Sequence, residues 1–327
     1  MARRDATTPR AACGECFHGP REYRRRGRMS RRTIGAVTFI LVHDPWRPHP
    51  LAWIHRSEAR RIAHELRRAG HRVRCAAFGR STVDDEGAAQ RILRLSDPAM
   101  FTAAEALSAA RVPYIGPGFE AMKRCYDKYA ATRLVAAAGF TCPDTELGTE
   151  ADRIDFARVL KPRFGSDSIG LRRYTHGPIA AGRRSDRYIV QRCVRGAEMT
   201  IGVLNGEAGA PLRIGIPEGA MYTFLRKYVL RPRLAPVTER RLAARVRAEA
   251  LRIAATLRVD WAARVDFIHE ARSDRLYFLE CDVAPLVGAG SAFATSLAAA
   301  GLDRNAQLER LFPSVTDGSS PMATDDA

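Results

Sequence analysis

Between residues 36 and 115 the chain alternates apolar runs of strand length with stretches of helical periodicity, and few architectures accept that order. Residues 36–42 (AVTFILV) are apolar almost without interruption, as a strand covered on both faces requires, and they end at His43-Asp44-Pro45. A helical pattern runs from Ser57, placed as an N-cap, to Ala69, with Gly70 positioned to end it. Residues 72–78 and 91–95 read as strands, and a helix over 98–110 leads into a further strand at 112–115. This order predicts an open α/β unit with a parallel sheet, whose ligands lie beyond the carboxyl ends of the strands. His43 and Asp44 stand on that rim, with plain loop solvation as the alternative for either.

After a further helix over 120–138, closed by Gly139, the texture changes. Short strands at 158–161, 171–174, 188–193 and 199–204 are separated by glycine-rich turns. Helices at 238–257 and 291–300 then flank strands at 262–268 and 275–281. A chain of 327 residues suggests about two domains of ~150 residues, with a core that needs no disulfide. With 46% hydrophobic and 27% charged residues it is no disordered polymer. No apolar run approaches the ~18 residues of a membrane span, and no signal peptide with a cleavage site is evident, so a cytoplasmic protein is expected. The seven cysteines sit mostly in apolar contexts, and the one CxxC, Cys13-Gly14-Glu15-Cys16, has no second pair to make a zinc site.

The formal charge of +17 is unevenly placed. Residues 1–32 hold ten Arg against Asp5, Glu15 and Glu22, a net of +7 that leaves +10 for the rest. They read as a disordered basic tail, with Met29 a candidate native start. A nucleic-acid arm is the sharper alternative, but no aromatic residues are interleaved as a stacking platform.

Chemistry concentrates further on. Arg264-Val265-Asp266-Phe267 and Leu276-Tyr277-Phe278-Leu279-Glu280-Cys281-Asp282 read as paired antiparallel strands turning at Ser273-Asp274. Strand parity sends Glu280 and Asp282 to one face, with Asp266 opposite them. At about 4 Å and an effective dielectric near 20, each like-charged pair costs ~4 kcal/mol unless a cation joins it. Such hard oxygen donors suit Mg²⁺, and pairing with the abundant arginines is the alternative. A loop at 161–170 (KPRFGSDSIG), headed by Lys161, offers small residues that can cradle phosphates, or merely turns a hairpin. Basic residues are almost all Arg, with Lys only at 123, 128, 161 and 227, and Lys persists where a compact ammonium suits phosphate.

Together these segments resemble the ATP-grasp ligases, and among them D-alanine–D-alanine ligase and its relatives, over residues 120–312, with the preceding α/β unit matching the family's first domain. The resemblance implies an α/β and α+β chain in which two α+β lobes clamp ATP. The expected order is a tail at 1–32, an N-terminal domain at 33–118, a central lobe at 119–200, a C-terminal lobe at 201–312 and a tail at 313–327. Lys128, after Asp127, resembles the family's first nucleotide lysine and Lys161 the second. The loop 165–170 looks like the phosphate lid, with Ser166 and Ser168 toward phosphate and Ser168 also toward the reacting centre. Gln191, Arg192 and Val194 are similar to the adenine hinge, and Glu198 to the carboxylate that holds the ribose. Lys227 and Tyr228 resemble the segment that reaches the γ-phosphate and closes over substrate, and Arg264 the arginine that steadies the transferring phosphoryl group. Asp266, Glu280 and Asp282 fall on the ligands of two Mg²⁺ ions, with Mn²⁺ as a substitute, and Ser291 falls near a substrate-carboxylate serine.

Several positions depart from the family pattern, and the largest departure falls in the first domain. Asp282 stands where these ligases usually carry Asn, Gln191 replaces a common Glu, Asp167 enters the lid, and Leu286 replaces a Gly near the oxyanion site. His43-Asp44-Pro45-Trp46 replaces the glycine-rich segment that holds the first D-alanine, which makes Asp44 a candidate substrate residue. The resemblance therefore implies an ATP- and Mg²⁺-dependent carboxylate–amine ligase acting through an acyl phosphate on small amino-acid-like substrates other than two D-alanines, including by ring closure. A homodimer is expected, with no membrane or nucleic-acid partner. The alternatives are a ligase adding amino acids to a protein tail and a basic nucleic-acid-binding protein on an inactive scaffold.

Overall fold

The computed structural model describes residues 38–45, 50–79, 82, 90–153, 157–165, 170–217, 230 and 232–313. The tails at 1–32 and 314–327 lie outside them. The first sheet is built from β1 (Thr38–His43), β2 (Arg72–Ala77), β3 (Gln90–Arg94) and β4 (Tyr114–Ile115), with α1 (Pro50–Arg68) and α2 (Asp97–Ala109) between them in sequence. Its order is β2-β1-β3-β4 and every pairing is parallel. Alternate residues of β1 serve two cores, as the unbroken apolar run demands. Phe39 and Leu41 pack with Ala59, Ile62, Ala63 and Leu66 of α1, and Ile40 and Val42 share a cluster with Met100, Ala103 and Leu107 of α2. The chain leaves β1 for β2 on one side and reaches β3 on the other, so the carboxyl ends of β1 and β3 flank a switch point.

Two expectations fail here. The first helix begins at Pro50, and Ser57 lies within it rather than capping it. A proline fits the first helical turn, where no N–H bond is lost. The helix expected over 120–138 is broken into α3 (Phe119–Tyr126) and α4 (Lys128–Ala137), because Asp127 adopts an extended backbone (φ −85°, ψ 98°) and caps α4.

The second sheet is antiparallel, with β5 (Thr145–Leu147), β6 (Arg158–Pro162), β7 (Arg172–Tyr174) and β8 (Tyr188–Arg192) in the order β5-β8-β6-β7. The third contains β9 (Ala197–Leu204), β10 (Glu207–Ala208), β11 (Leu212–Ile214), β12 (Leu234–Pro236), β13 (Ala262–Glu270) and β14 (Arg275–Asp282). Its order is β12-β11-β9-β13-β14, with β10 on β9. One face of that sheet buries Met199, Ile201, Val265 and Phe267 in a cluster with Val246 and Ile253 of α5 (Arg240–Thr256). Helices α6 (Ala292–Ala299) and α7 (Arg304–Leu311) complete the described chain, and α7, β5 and β10–β12 had no counterpart in the sequence reading. Among the described residues no helix is long and apolar enough to cross a membrane.

Candidate active site

The β13–β14 hairpin turns through residues 271–274, where Asp274 takes a left-handed φ of 52°. Its register sets Asp266 opposite Glu280 and Arg264 opposite Asp282, with a bulge just beyond Asp266. These four side chains share a face, and their neighbours Val265 and Cys281 enter the core on the other. The Arg264 guanidinium lies among the carboxylates, with Nε 3.0 Å from Asp266 Oδ1, Nη1 3.4 Å from Asp282 Oδ2 and Nη2 3.9 Å from Glu280 Oε1. Thr200 of β9 donates to Asp266 Oδ1 at 2.6 Å. Burial works to discharge the guanidinium, yet Asp266 and Asp282 beside it outweigh that and hold its pKa well above the usual arginine value.

Arginine pairing, the alternative left open by the sequence, is thus present. Among the described residues no three Asp, Glu, His or Cys side chains form a cage of their own for a metal. Mg²⁺ does not need one, since it is commonly held by one or two carboxylates together with phosphates. Glu280 and Asp282 supply that donor set at the edge of a cleft and fit the ion.

The opposite wall of the cleft comes from the α3–α4 junction. Asp127 accepts the N–H groups of Tyr129 and Ala130 at 3.0 and 3.2 Å, and its two oxygens take Arg163 Nε and Nη2 at 2.8 and 2.5 Å. Donating to the Asp127 carboxylate raises the Arg163 pKa above its ordinary value. Lys128 donates its backbone N–H to Arg163 O at 3.0 Å and its ammonium to Gly165 O. Phe164 meets Tyr126 in a tilted ring contact, with centroids 5.7 Å apart, and the Arg163 guanidinium lies 5.1 Å above the Phe164 ring. The phosphate-like loop leaves and re-enters through Gly165 (φ 104°) and Gly170 (φ 79°), where side-chain-bearing residues would be strained. Lys128, Gly165, Tyr126, Glu280 and Asp282 line one solvent-open cleft.

Of the remaining expected residues, none of those described lines this cleft, and some lie outside the described part. Lys161 is half-buried on β6 opposite Ile189. Gln191 is buried and donates to Thr145 Oγ1 at 2.9 Å, tying β8 to β5. The N–H groups of Arg192 and Cys193 donate to Asp144 O and Ala157 O, so these hinge amides are committed within the fold, and the half-buried Val194 follows. The Arg192 side chain is exposed, 3.6 Å from Asp144. Glu198 is half-buried on β9 opposite Ile268. Asp44 is not loop-solvated. It is buried across the switch point, accepting Ser96 N–H at 2.8 Å and Ser96 Oγ–H at 2.6 Å. Ser291 caps α6 by accepting Ala294 N–H at 3.1 Å. Ser166, Ser168, Lys227 and Tyr228 lie outside the described residues.

The sequence reading missed the Asp127–Arg163 clamp. Its visible signal was an Asp directly before a helical Lys-Tyr-Ala-Ala run, an N-cap pattern inside an apparently continuous helix.

The family model described as D-ala D-ala ligase C-terminus matches residues 153–312. The D-alanine–D-alanine ligase of Syntrophotalea carbinolica is 26% identical over 270 residues, covering 77% of this chain and 82% of that protein. The one from Rhodococcus opacus is 32% identical over 189 residues, covering 49% of this chain and 51% of its own. Among solved structures, the Bacillus anthracis D-alanine–D-alanine ligase complexed with ATP superposes with a TM-score of 0.69 at 15% identity, covering 84% of this chain and 96% of its own. The VanG D-Ala:D-Ser ligase of Enterococcus faecalis gives 0.67 at 15% identity, covering 85% and 98%. With three sheets in this order and a cleft between the α3–α4 junction and the acidic hairpin, the chain has the fold of the D-alanine–D-alanine ligases and is similar to them in sequence over most of its length.

Proposed function

We propose that this ligase joins the carboxylate of one small amino-acid-like substrate to the amine of another, or closes a ring within one, and that its substrates are not two D-alanines. The observation that carries the reading is the single cleft whose walls hold Lys128 and Gly165 on one side and Glu280 and Asp282 on the other. A substrate carboxylate oxygen attacks the γ-phosphorus of ATP, the bond to the β–γ bridging oxygen breaks, and ADP leaves. The amine then attacks the acyl phosphate, loses a proton, and expels phosphate to leave an amide. Both steps ask the protein mainly to place charge and exclude water.

In this reading Lys128 and Lys161 hold phosphate oxygens, and Ser166, Ser168 and Lys227 add donors. Gln191, Arg192, Val194 and Glu198 seat the nucleoside. Arg264, already charged among its carboxylates, stabilises the negative charge of transfer, with Tyr228 closing over substrate. Glu280 and Asp282, with Asp266 behind them, would hold Mg²⁺, which when bound supplies charge neutralisation on the phosphates. Ser291 faces the second substrate. A changed substrate is supported by Asp44, buried and bonded through both oxygens to Ser96 where the resembling ligases have a glycine-rich segment, and by half-buried Leu286 where they have glycine.

The test is a panel of amino acids and amines, D-alanine included, with Mg²⁺ and ATP, read by ADP release and product mass. ADP release with one pair is expected, and Lys161→Ala and Glu280→Ala should abolish it. No ADP release with any pair would overturn the ligase reading, and efficient D-alanyl-D-alanine formation would overturn the changed substrate.

A further inference from the structure

The segment 283–290 joins the acidic hairpin to Ser291, and its irregular backbone is held by charged side chains from remote elements. Pro285 O accepts from Arg94 Nη2 at 2.7 Å, Gly288 N–H donates to Glu58 Oε1 at 2.7 Å, and Val287 O accepts from Arg304 Nη1 at 2.8 Å. Each arginine is paired with a glutamate of α1. Arg94 Nη2 lies 2.6 Å from Glu58 Oε2, with the side chains 0% and 2% exposed. Arg304 Nε donates to Glu65 Oε2 at 3.1 Å, and its Nη2 closes the same pair. Glu58 and Glu65 are separated by two helical turns and so lie on one side of α1. The Arg94 guanidinium also lies 5.9 Å from the Trp261 ring, and a Cβ on Gly288 would come within 3.3 Å of Glu58 Cγ.

Buried polar backbone must find partners, and a segment usually finds them nearby in the chain. Here α1, β3 and α7 supply them, at sequence separations of 230 for Glu58, 191 for Arg94 and 17 for Arg304. A buried ion pair is weak evidence for stability, because desolvation offsets its attraction. Arg94 Nη1 is moreover buried without a hydrogen-bond partner, a penalty that an arrangement serving stability alone would avoid. What the two pairs do accomplish is to fix the carbonyls on either side of Leu286 and the amide of Gly288.

We infer that Glu58 with Arg94 and Glu65 with Arg304 are positioning pairs that fix residues 285–288, beyond the cleft-lining Val283 and Ala284, and through them the acceptor half of the active site, independently of the nucleotide half. The inference rests on the ligase reading for the identity of that half. None of the four lines the cleft of Lys128 and Glu280. They act through the segment, and no direct contact with substrate is assigned to them.

The test uses the full chain with Arg304→Ala and Glu65→Gln, whose half-buried pair tolerates change, and Glu58→Gln as the demanding variant. Hydrogen exchange is followed in peptides covering 283–291, 128–137 and 188–194, and affinity for a non-hydrolysable ATP analogue with Mg²⁺ is measured by calorimetry. Exchange at 283–291 should rise roughly tenfold in Arg304→Ala, as for a lost charge-assisted bond, with the other two peptides unchanged. Analogue affinity should stay within about twofold, as for a distant independent site. With the substrate pair from the panel, amide formed per ADP should fall, because a misplaced amine leaves the acyl phosphate to water. Unchanged exchange at 283–291, or equal loss of protection in all three peptides, would overturn the clamp. If the parent chain binds no analogue, the ligase reading falls and the acceptor role with it, a result distinct from the exchange outcome.

Discussion

Replacing Asp127 tests whether the break between α3 and α4 is built by this one carboxylate. Its Oδ1 caps α4 through two backbone N–H groups, and its two oxygens grip Arg163 in a two-pronged pair, with side chains 16% and 23% exposed. Loss of a cap costs about 1 kcal/mol. Loss of hydrogen bonds to a charged partner costs about 1.5–3 kcal/mol, taken near the lower end because both groups touch water. Asp127→Asn keeps a capping oxygen and gives up the charge, so about 1–1.5 kcal/mol is expected. Asp127→Ala gives up both, for about 2.5–3 kcal/mol. For a folded unit of this size, thermal unfolding should fall by about 2 °C per kcal/mol, hence about 2–3 °C for Asn and 5–6 °C for Ala. Adding Arg163→Met to Asp127→Ala closes a double-mutant cycle, where a coupling of at least about 0.5 kcal/mol is expected. Equal effects of Asn and Ala would refute the cap, and additivity in the cycle would refute the clamp. Because Lys128 follows directly, Asp127→Ala should also weaken binding of the ATP analogue.

Three further outcomes are expected. Arg264→Met leaves Asp266, Glu280 and Asp282 facing one another without their cation, so stability should drop by about 3 kcal/mol and Mg²⁺ should recover part of it. Denaturation with and without the ion checks this, and an equal Mg²⁺ effect on parent and variant would sink it. Burial pushes the Cys142 thiol up from its ordinary 9.0 to about 12. The folded chain holds that proton more tightly than the unfolded one, so the stabilising contribution is complete below pH 9.0 and is lost as pH rises through about 12. Alkylation of native Cys142 at pH ~8 should accordingly run roughly a thousandfold below an ordinary thiol, and normal reactivity in a mass-spectrometric assay would contradict the burial argument. Gly170→Ala meets a left-handed φ of 79° and a Cβ placed 3.0 Å from Pro162 Cγ, for about 1–2 kcal/mol by urea denaturation, and an unchanged midpoint would show that the turn relaxes freely.

How far the site could be read in advance varies residue by residue. The acidic face of the hairpin was legible because side chains alternate with a period of two, whatever the strands pack against. Glu58 was not. It sits between Ile54 and Ile62 on a helix whose other buried residues are, His55 apart, small or apolar, and nothing local says that an arginine from β3 will reach it. Asp44 was placed correctly on the rim, but its partner Ser96 lies 52 residues away, so its commitment could not be seen.

The sequence by itself determined the alternation of strand and helix, the two-faced burial of β1, the glycine-bounded loop after β6 and the shared face of Asp266, Glu280 and Asp282. All of these are local periodicities or backbone preferences. Only the tertiary structure decided that Arg264 sits among the three carboxylates, that Asp127 breaks a helix to hold Arg163, and that α1 reaches across to hold the segment before Ser291. Which charged groups meet is set by how distant stretches cross, and in a chain with 49 arginines every carboxylate has many possible partners and only the fold selects one.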